Sequence, residues 1–111
     1  MSRKKLPNRR ATLTTSIPFG GTRLHVSYGC YADGRLGELF ISGPKVGSDQ
    51  RTAALEATIA ASFALQHGAA AQDILAALPL GHDGQPEGIL GTLLARWLDL
   101  ANELVDSGVP G

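Results

Sequence analysis

Apolar and polar residues alternate in the first half of this chain and recur at helical spacing in the second. That change of period divides it into a β half and an α half. Ala11-Thr12-Leu13-Thr14-Thr15-Ser16-Ile17 is rich in β-branched residues and predicts a strand. Pro18-Phe19-Gly20-Gly21 predicts the turn that breaks it. A second strand is predicted over 22–32, where Leu24, Val26, Tyr28 and Cys30 alternate with Arg23, His25, Ser27 and Gly29. Asp33-Gly34 is a hairpin signal, because glycine accepts the positive φ of such turns. A third strand, 36–42, carries Leu39, Phe40 and Ile41, and completes an antiparallel meander.

Three helices are expected next. Ser48 suits an N-cap, and Asp49 lies where the helix dipole favours negative charge. The helix they open runs to His67 and stops at Gly68. Its expected core stripe is Leu55, Ile59 and Phe63, four apart, broadened by Ala54, Ala57, Ala61 and Leu65. A short helix over 71–78 ends before Pro79, and 81–88 reads as a polar, turn-rich loop. The last helix, 89–107, carries a wide stripe that includes Leu90, Leu93, Leu94, Trp97 and Leu98. Either it sits between layers of its own domain or part of it meets another chain. The expected fold class is α+β: a three-stranded antiparallel meander, a long Ala-rich helix, a short helix, and a C-terminal amphipathic helix packed on the sheet.

With 111 residues, the chain is long enough for one core without staples. Aromatics are scarce, so alanine and glycine carry much of the close packing. Net charge is zero, yet Arg3, Lys4, Lys5, Arg9 and Arg10 gather half of the ten basic residues into the first ten positions. The expectation is a basic, disordered arm over 1–10 and a single, mildly acidic domain over 11–111. The arm is either a solubilising tail or a contact for nucleic acid or an acidic partner. The acidic body argues against nucleic acid as the main partner. No apolar run approaches the roughly 20 residues of a membrane span, and the start lacks the apolar core of a secretory signal. A single cysteine excludes an internal disulfide and suits a cytoplasmic location.

Reactive residues are few. Cys30 lies on the apolar face of its strand and reads as a small hydrophobe. His25, His67 and His82 show no metal-ligand spacing, and His25 and Cys30 point to opposite faces of a regular strand. His67 reads as a capping or surface residue, and His82 as part of a flexible, solvated loop. Asp99, Glu103 and Asp106 read as a solvated helix face. The expectation is no catalytic residue, no metal and no cofactor in the isolated chain.

Gly43-Pro44-Lys45-Val46-Gly47-Ser48 joins a strand to a helix start. Helix N-termini expose unpaired N–H groups that accept anions. Lys45, Gly47, Ser48 and Arg51 are therefore the candidate anion- or nucleotide-binding residues, with a plain structural turn as the alternative. The segment is not a P-loop, since Lys45 precedes Gly47 by two residues.

These segments carry a family resemblance. Asp33-Gly34-Arg35-Leu36-Gly37-Glu38-Leu39-Phe40-Ile41, Gly43-Pro44-Lys45-Val46-Gly47-Ser48 and Ala61-Ser62-Phe63-Ala64-Leu65-Gln66-His67-Gly68 resemble the TSCPD domain. Leu6-Pro7-Asn8-Arg9-Arg10 resembles the lead-in to such domains, and Asp83-Gly84-Gln85-Pro86-Glu87-Gly88-Ile89-Leu90-Gly91 a later loop of some members. The resemblance spans residues 6 to 95. TSCPD domains end many adenosylcobalamin-dependent ribonucleotide reductases and also occur as small stand-alone proteins. The Thr-Ser-Cys-Pro-Asp motif behind the family's name is absent here. Ribonucleotide reduction needs several cysteines and a large barrel, so the resemblance implies an accessory or regulatory module and not a self-sufficient enzyme. The partners it implies are a ribonucleotide reductase catalytic chain or a nucleotide. The wide stripe of the last helix adds a homo-oligomer. The alternative is a protein-interaction factor with no nucleotide role.

Overall fold

The computed structural model describes residues 3–8, 10–19, 21–42 and 49–106. Three strands come first: β1 (Ala11–Phe19), β2 (Thr22–Cys30) and β3 (Leu36–Ser42). Three helices follow: α1 (Asp49–Gln66), α2 (Ala71–Ala77) and α3 (Ile89–Asp106). The sheet is an antiparallel meander in the order β1-β2-β3. This is the expected α+β arrangement of elements.

The register follows from the alternation. Ile17 pairs with Leu24, Thr15 with Val26, and Tyr28 lies between Leu13 and Leu39. Leu24, Val26, Tyr28 and Leu39 are fully buried, so the period-two pattern of β2 gives one core face. Pro18 does not break β1; it pairs with Arg23 inside the strand. β1 is an edge strand, where a residue lacking N–H can face away from its neighbour. The break expected at Pro18-Phe19 therefore moves past Phe19, and Gly21 takes a φ of +78°.

β2 ends at Cys30, earlier than expected, because the register shifts between Gly29 and Cys30. Tyr31 N–H donates to Arg35 C=O (2.9 Å), Gly34 N–H to Tyr31 C=O (2.9 Å), and Arg35 N–H to Asp33 Oδ1 (3.0 Å). Gly34, at φ +90°, turns the chain into β3. The irregularity lets Tyr31 be buried, although simple alternation would place it opposite Cys30.

The chain divides into two compact units, Met1–Ala70 and Ala71–Gly111. In the first, α1 lies along β3. Its buried face is Ala54, Thr58, Ala61, Ser62, Leu65 and Gln66. Ala54, Ala61 and Leu65 of the expected stripe face the core, but two of its large members turn outward: Ile59 is 53% exposed and Phe63 46%. The reason is local to β3. As an edge strand it leaves alternate backbone groups unpaired, and these need polar partners that Ile59 and Phe63 cannot supply. Ser62 Oγ accepts from Leu39 N–H (3.1 Å) and lies 3.3 Å from Leu39 C=O, while Gln66 Nε2 donates to Gly37 C=O (3.0 Å).

In the second unit, α2 packs on α3, and α3 buries Leu93, Leu94 and Trp97. Residues 79–87 form a small hairpin closed by a bridge between Leu80 and Pro86. Gly81 N–H donates to Gln85 C=O (2.8 Å), Gly84 N–H to Gly81 C=O (3.0 Å), and Gln85 N–H to Asp83 Oδ1 (2.9 Å). This repeats, bond for bond, the turn at Tyr31–Arg35. The flexible loop expected around His82 is thus a second Asp-Gly turn.

A candidate binding recess around Tyr31

Three segments of the first unit converge on Tyr31. The β2–β3 turn brings Tyr31, Asp33 and Arg35; the end of α1 brings Gln66 and His67; Arg3 and Lys4 lie against the helix end, and Lys4 and Leu6 beside Tyr31. α1 ends on a Schellman cap: Gly68 N–H donates to Leu65 C=O (3.1 Å) and Ala69 N–H to Ala64 C=O (3.0 Å), with Gly68 at φ +107°. The next carbonyl, that of Gln66, accepts Lys4 N–H at 2.7 Å. The negative end of the helix dipole favours cations, which gives Arg3 and Lys4 a physical reason to lie there.

Gln66 is the hub of this junction. Its Oε1 accepts from Arg3 Nε (2.6 Å), its Nε2 donates to Gly37, and its backbone carbonyl receives Lys4. Tyr31 Oη donates to the Lys4 carbonyl. The Arg3 guanidinium stacks 4.1 Å from the Phe63 ring centre. Gly37 has no side chain where the Tyr31 ring and Leu6 close in: a Cβ there would lie 2.7 Å from Tyr31 and 2.9 Å from Leu6. Further along, Arg10 Nε pairs with Glu38 Oε1 at 2.5 Å.

Beside this junction is a recess of about 170 Å³ lined by Lys4, Tyr31, Arg35, Gln66, His67 and Gly68, among others. Lys4 Nζ lies 5.4 Å and Arg35 Cζ 5.1 Å from the Tyr31 ring centre. Asp33 accepts from the Arg35 backbone N–H and from Arg35 Nε (2.8 Å), and these bonds hold its carboxyl below the usual aspartate range. His67 Nδ1 lies 2.8 Å from Phe63 C=O. What the arrangement offers is cationic binding chemistry, with no paired acid and base aimed at a common point.

The residues singled out in the sequence fare differently. Lys45, Gly47 and Ser48 lie outside the described residues. Arg51 is in the first turn of α1, half-buried and engaged in an interaction of its own. Cys30 is buried, and burial pushes its thiol pKa up. Among the described residues no three His, Cys, Asp or Glu side chains cluster as a metal site would need. No helix of the described residues is long and apolar enough to cross a membrane. Sequence reasoning missed Tyr31, Gln66 and Arg35. The Asp-Gly turn located Arg35 next to Tyr31, but no local signal ties Lys4 or Gln66 to them.

The fold and the recess define an α+β module whose meander is bordered along β3 by a helix and at that helix's end by a basic lead-in segment. The TSCPD domain model matches residues 2–102, and the chain belongs to the TSCPD family. Vitamin B12-dependent ribonucleotide reductases of Agrobacterium fabrum and Bradyrhizobium diazoefficiens are each 41% identical over 66 residues, covering 60% of this chain and 5% of those proteins. The protein of the same description from Rhodopirellula baltica is 30% identical over 108 residues, covering 88% of this chain and 10% of its own length. The chain thus spans a tenth or less of these relatives. No solved structure matches.

Proposed function

We propose that this chain is a binding module accessory or regulatory to ribonucleotide reduction, without catalytic action of its own. The observation that supports this reading is its similarity to one small region of the vitamin B12-dependent ribonucleotide reductases of Agrobacterium fabrum and Rhodopirellula baltica, 5% and 10% of their length. Its partner would be a reductase catalytic chain, and its ligand a nucleotide, with the Lys45-to-Arg51 segment as one candidate contact. The test combines the chain with a B12-dependent reductase and measures co-elution and turnover across nucleotide effectors. Association together with altered turnover is expected. Separate elution and unchanged turnover would overturn the reading. A thermal-shift screen adds the ligand arm, since a ligand bound only to the native state raises Tm. Nucleotide shifts that survive Lys45→Ala and Ser48→Ala would remove that segment as the contact.

A second reading, a protein-interaction factor with no nucleotide role, draws support from the outward Ile59 and Phe63 of α1. It predicts a partner or a homo-oligomer that Ile59→Glu disrupts, read by light scattering. A strictly monomeric chain that captures no partner would remove it.

A further inference from the structure

We propose that the recess around Tyr31 binds a phosphate-bearing anion, held by Lys4 and Arg35 with His67 beside them. The inference stands on the geometry of the first unit and is independent of any link to ribonucleotide reduction. Both cationic groups lie within 5.4 Å of one ring centre, so they are at most about 10.5 Å apart. Both line the same recess, and no carboxylate lines it.

The two cations are placed before any ligand arrives. The Lys4 backbone is fixed on both sides, by Gln66 C=O at its N–H and by Tyr31 Oη at its carbonyl. Its ammonium lies over the Tyr31 ring and makes no direct ion pair among the described residues, although its charge helps to lower the Asp33 pKa. Asp33 takes Arg35 through Nε, so both Nη groups keep their donors free among the described residues. Asp33 offsets one positive charge, but it does not line this recess. The helix end, which would repel an anion, is blunted: the carbonyls of Ala64, Leu65 and Gln66 each accept an N–H.

Free guanidinium donors plus a separate ammonium suit a tetrahedral anion, whose oxygens diverge toward both. A planar carboxylate presents its two oxygens to one side and carries a single charge. The volume sets the extent of the contact. About 170 Å³ holds a phosphate group and little more, whereas whole-ligand sites start at about 300 Å³. The recess therefore takes the phosphate end of a ligand and leaves the rest outside. Free phosphate or pyrophosphate and a nucleoside diphosphate share that end.

Amide-resolved NMR titration of the full chain tests this, with pyrophosphate as the primary probe. Saturable shifts at Tyr31, His67 and Gly68 are expected. Lys4→Gln and Arg35→Gln should each weaken binding about tenfold, the scale of one lost charged contact. Arg35→Lys keeps the charge without the fork and should fall between wild type and Arg35→Gln, which guards against misreading an unfolded variant. Comparison with a nucleoside diphosphate separates the two sources: tighter binding than pyrophosphate assigns a nucleotide, and equal binding assigns the phosphate group alone. The proposal is overturned by no shift at millimolar pyrophosphate, by unchanged affinity in Lys4→Gln and Arg35→Gln, or by shifts confined to residues 45–51. No reductase enters this titration, so its failure leaves the association experiment above untouched.

Discussion

The Ser62 hydroxyl on α1 takes both backbone groups of Leu39 on β3, accepting its N–H at 3.1 Å and meeting its carbonyl at 3.3 Å. Both partners are buried. One side chain thereby closes two orphan positions of an edge strand, and Gln66, one helical turn on, closes a third at Gly37. The outward turn of Ile59 and Phe63 follows from this arrangement.

Ser62→Ala leaves Leu39 N–H and C=O without partners in a buried place. The expected cost is about 1–3 kcal/mol of folding stability, read as a lower urea midpoint at unchanged slope. Addition of Gln66→Ala should also free the β3 edge and promote aggregation, seen by light scattering.

Ile59→Gln and Ala61→Leu separate the two faces of α1. Ile59→Gln, on the exposed face, should change stability by no more than about 0.5 kcal/mol. Ala61→Leu forces extra volume into the buried face and should cost about 1–3 kcal/mol. The reverse order in urea titrations would mean that the apolar stripe faces the core after all.

Gly37→Ala pushes a methyl into the Tyr31 ring and Leu6. A loss of about 1–3 kcal/mol is expected. The loss should come with faster proteolysis within residues 3–10, since Leu6 is displaced. Cleavage unchanged from wild type would show that Leu6 does not hold that segment.

Asp33 carries the pH dependence of the β2–β3 turn. Its native pKa is lowered, first by the Arg35 backbone N–H and then by the Arg35 side chain. A lowered carboxylate pKa adds stability above the unfolded value, and that stability is lost as pH falls through the native value. The window lies below the usual aspartate range. Carboxyl-carbon NMR should place the Asp33 midpoint under that of a model aspartate, and Arg35→Gln should raise it.

Cys30 should be inert in the folded chain. Burial raises its thiol pKa, so the contribution it makes is intact below the unfolded cysteine pKa and is lost as pH rises through the native one. Labelling by a thiol-directed disulfide reagent near pH 8 should be slow in buffer and rapid in denaturant. Rapid labelling of the native protein would place Cys30 at the surface.

Much of this architecture was legible in the sequence because its signals are local. The alternation of Leu24, Val26 and Tyr28 set the core face of β2, and Asp33-Gly34 set the turn into β3. Gly68 marked the end of α1 through backbone freedom alone. Asp83-Gly84 carried the same turn signal as Asp33-Gly34, and the repeated bonds show that it could have been read the same way.

Local sequence could not choose the face of α1. Ala54, Ala61 and Leu65 were legible as core positions, but hydrophobicity alone favours Ile59 and Phe63 beside them over the buried Thr58, Ser62 and Gln66. The choice fell to the unpaired backbone of β3, which accepts Ser62 and Gln66 and has no use for Ile59. The docking of Arg3 and Lys4 on the end of α1, and the recess that Lys4 completes with Tyr31 and Arg35, likewise join residues up to 63 positions apart. The sequence by itself determined the order of the elements and the turns at Asp33-Gly34 and Gly68, because periodicity and backbone preference act between near neighbours. Only the tertiary structure decided which faces meet and where the charges gather, because unsatisfied backbone groups and a helix dipole act on whatever the fold brings beside them.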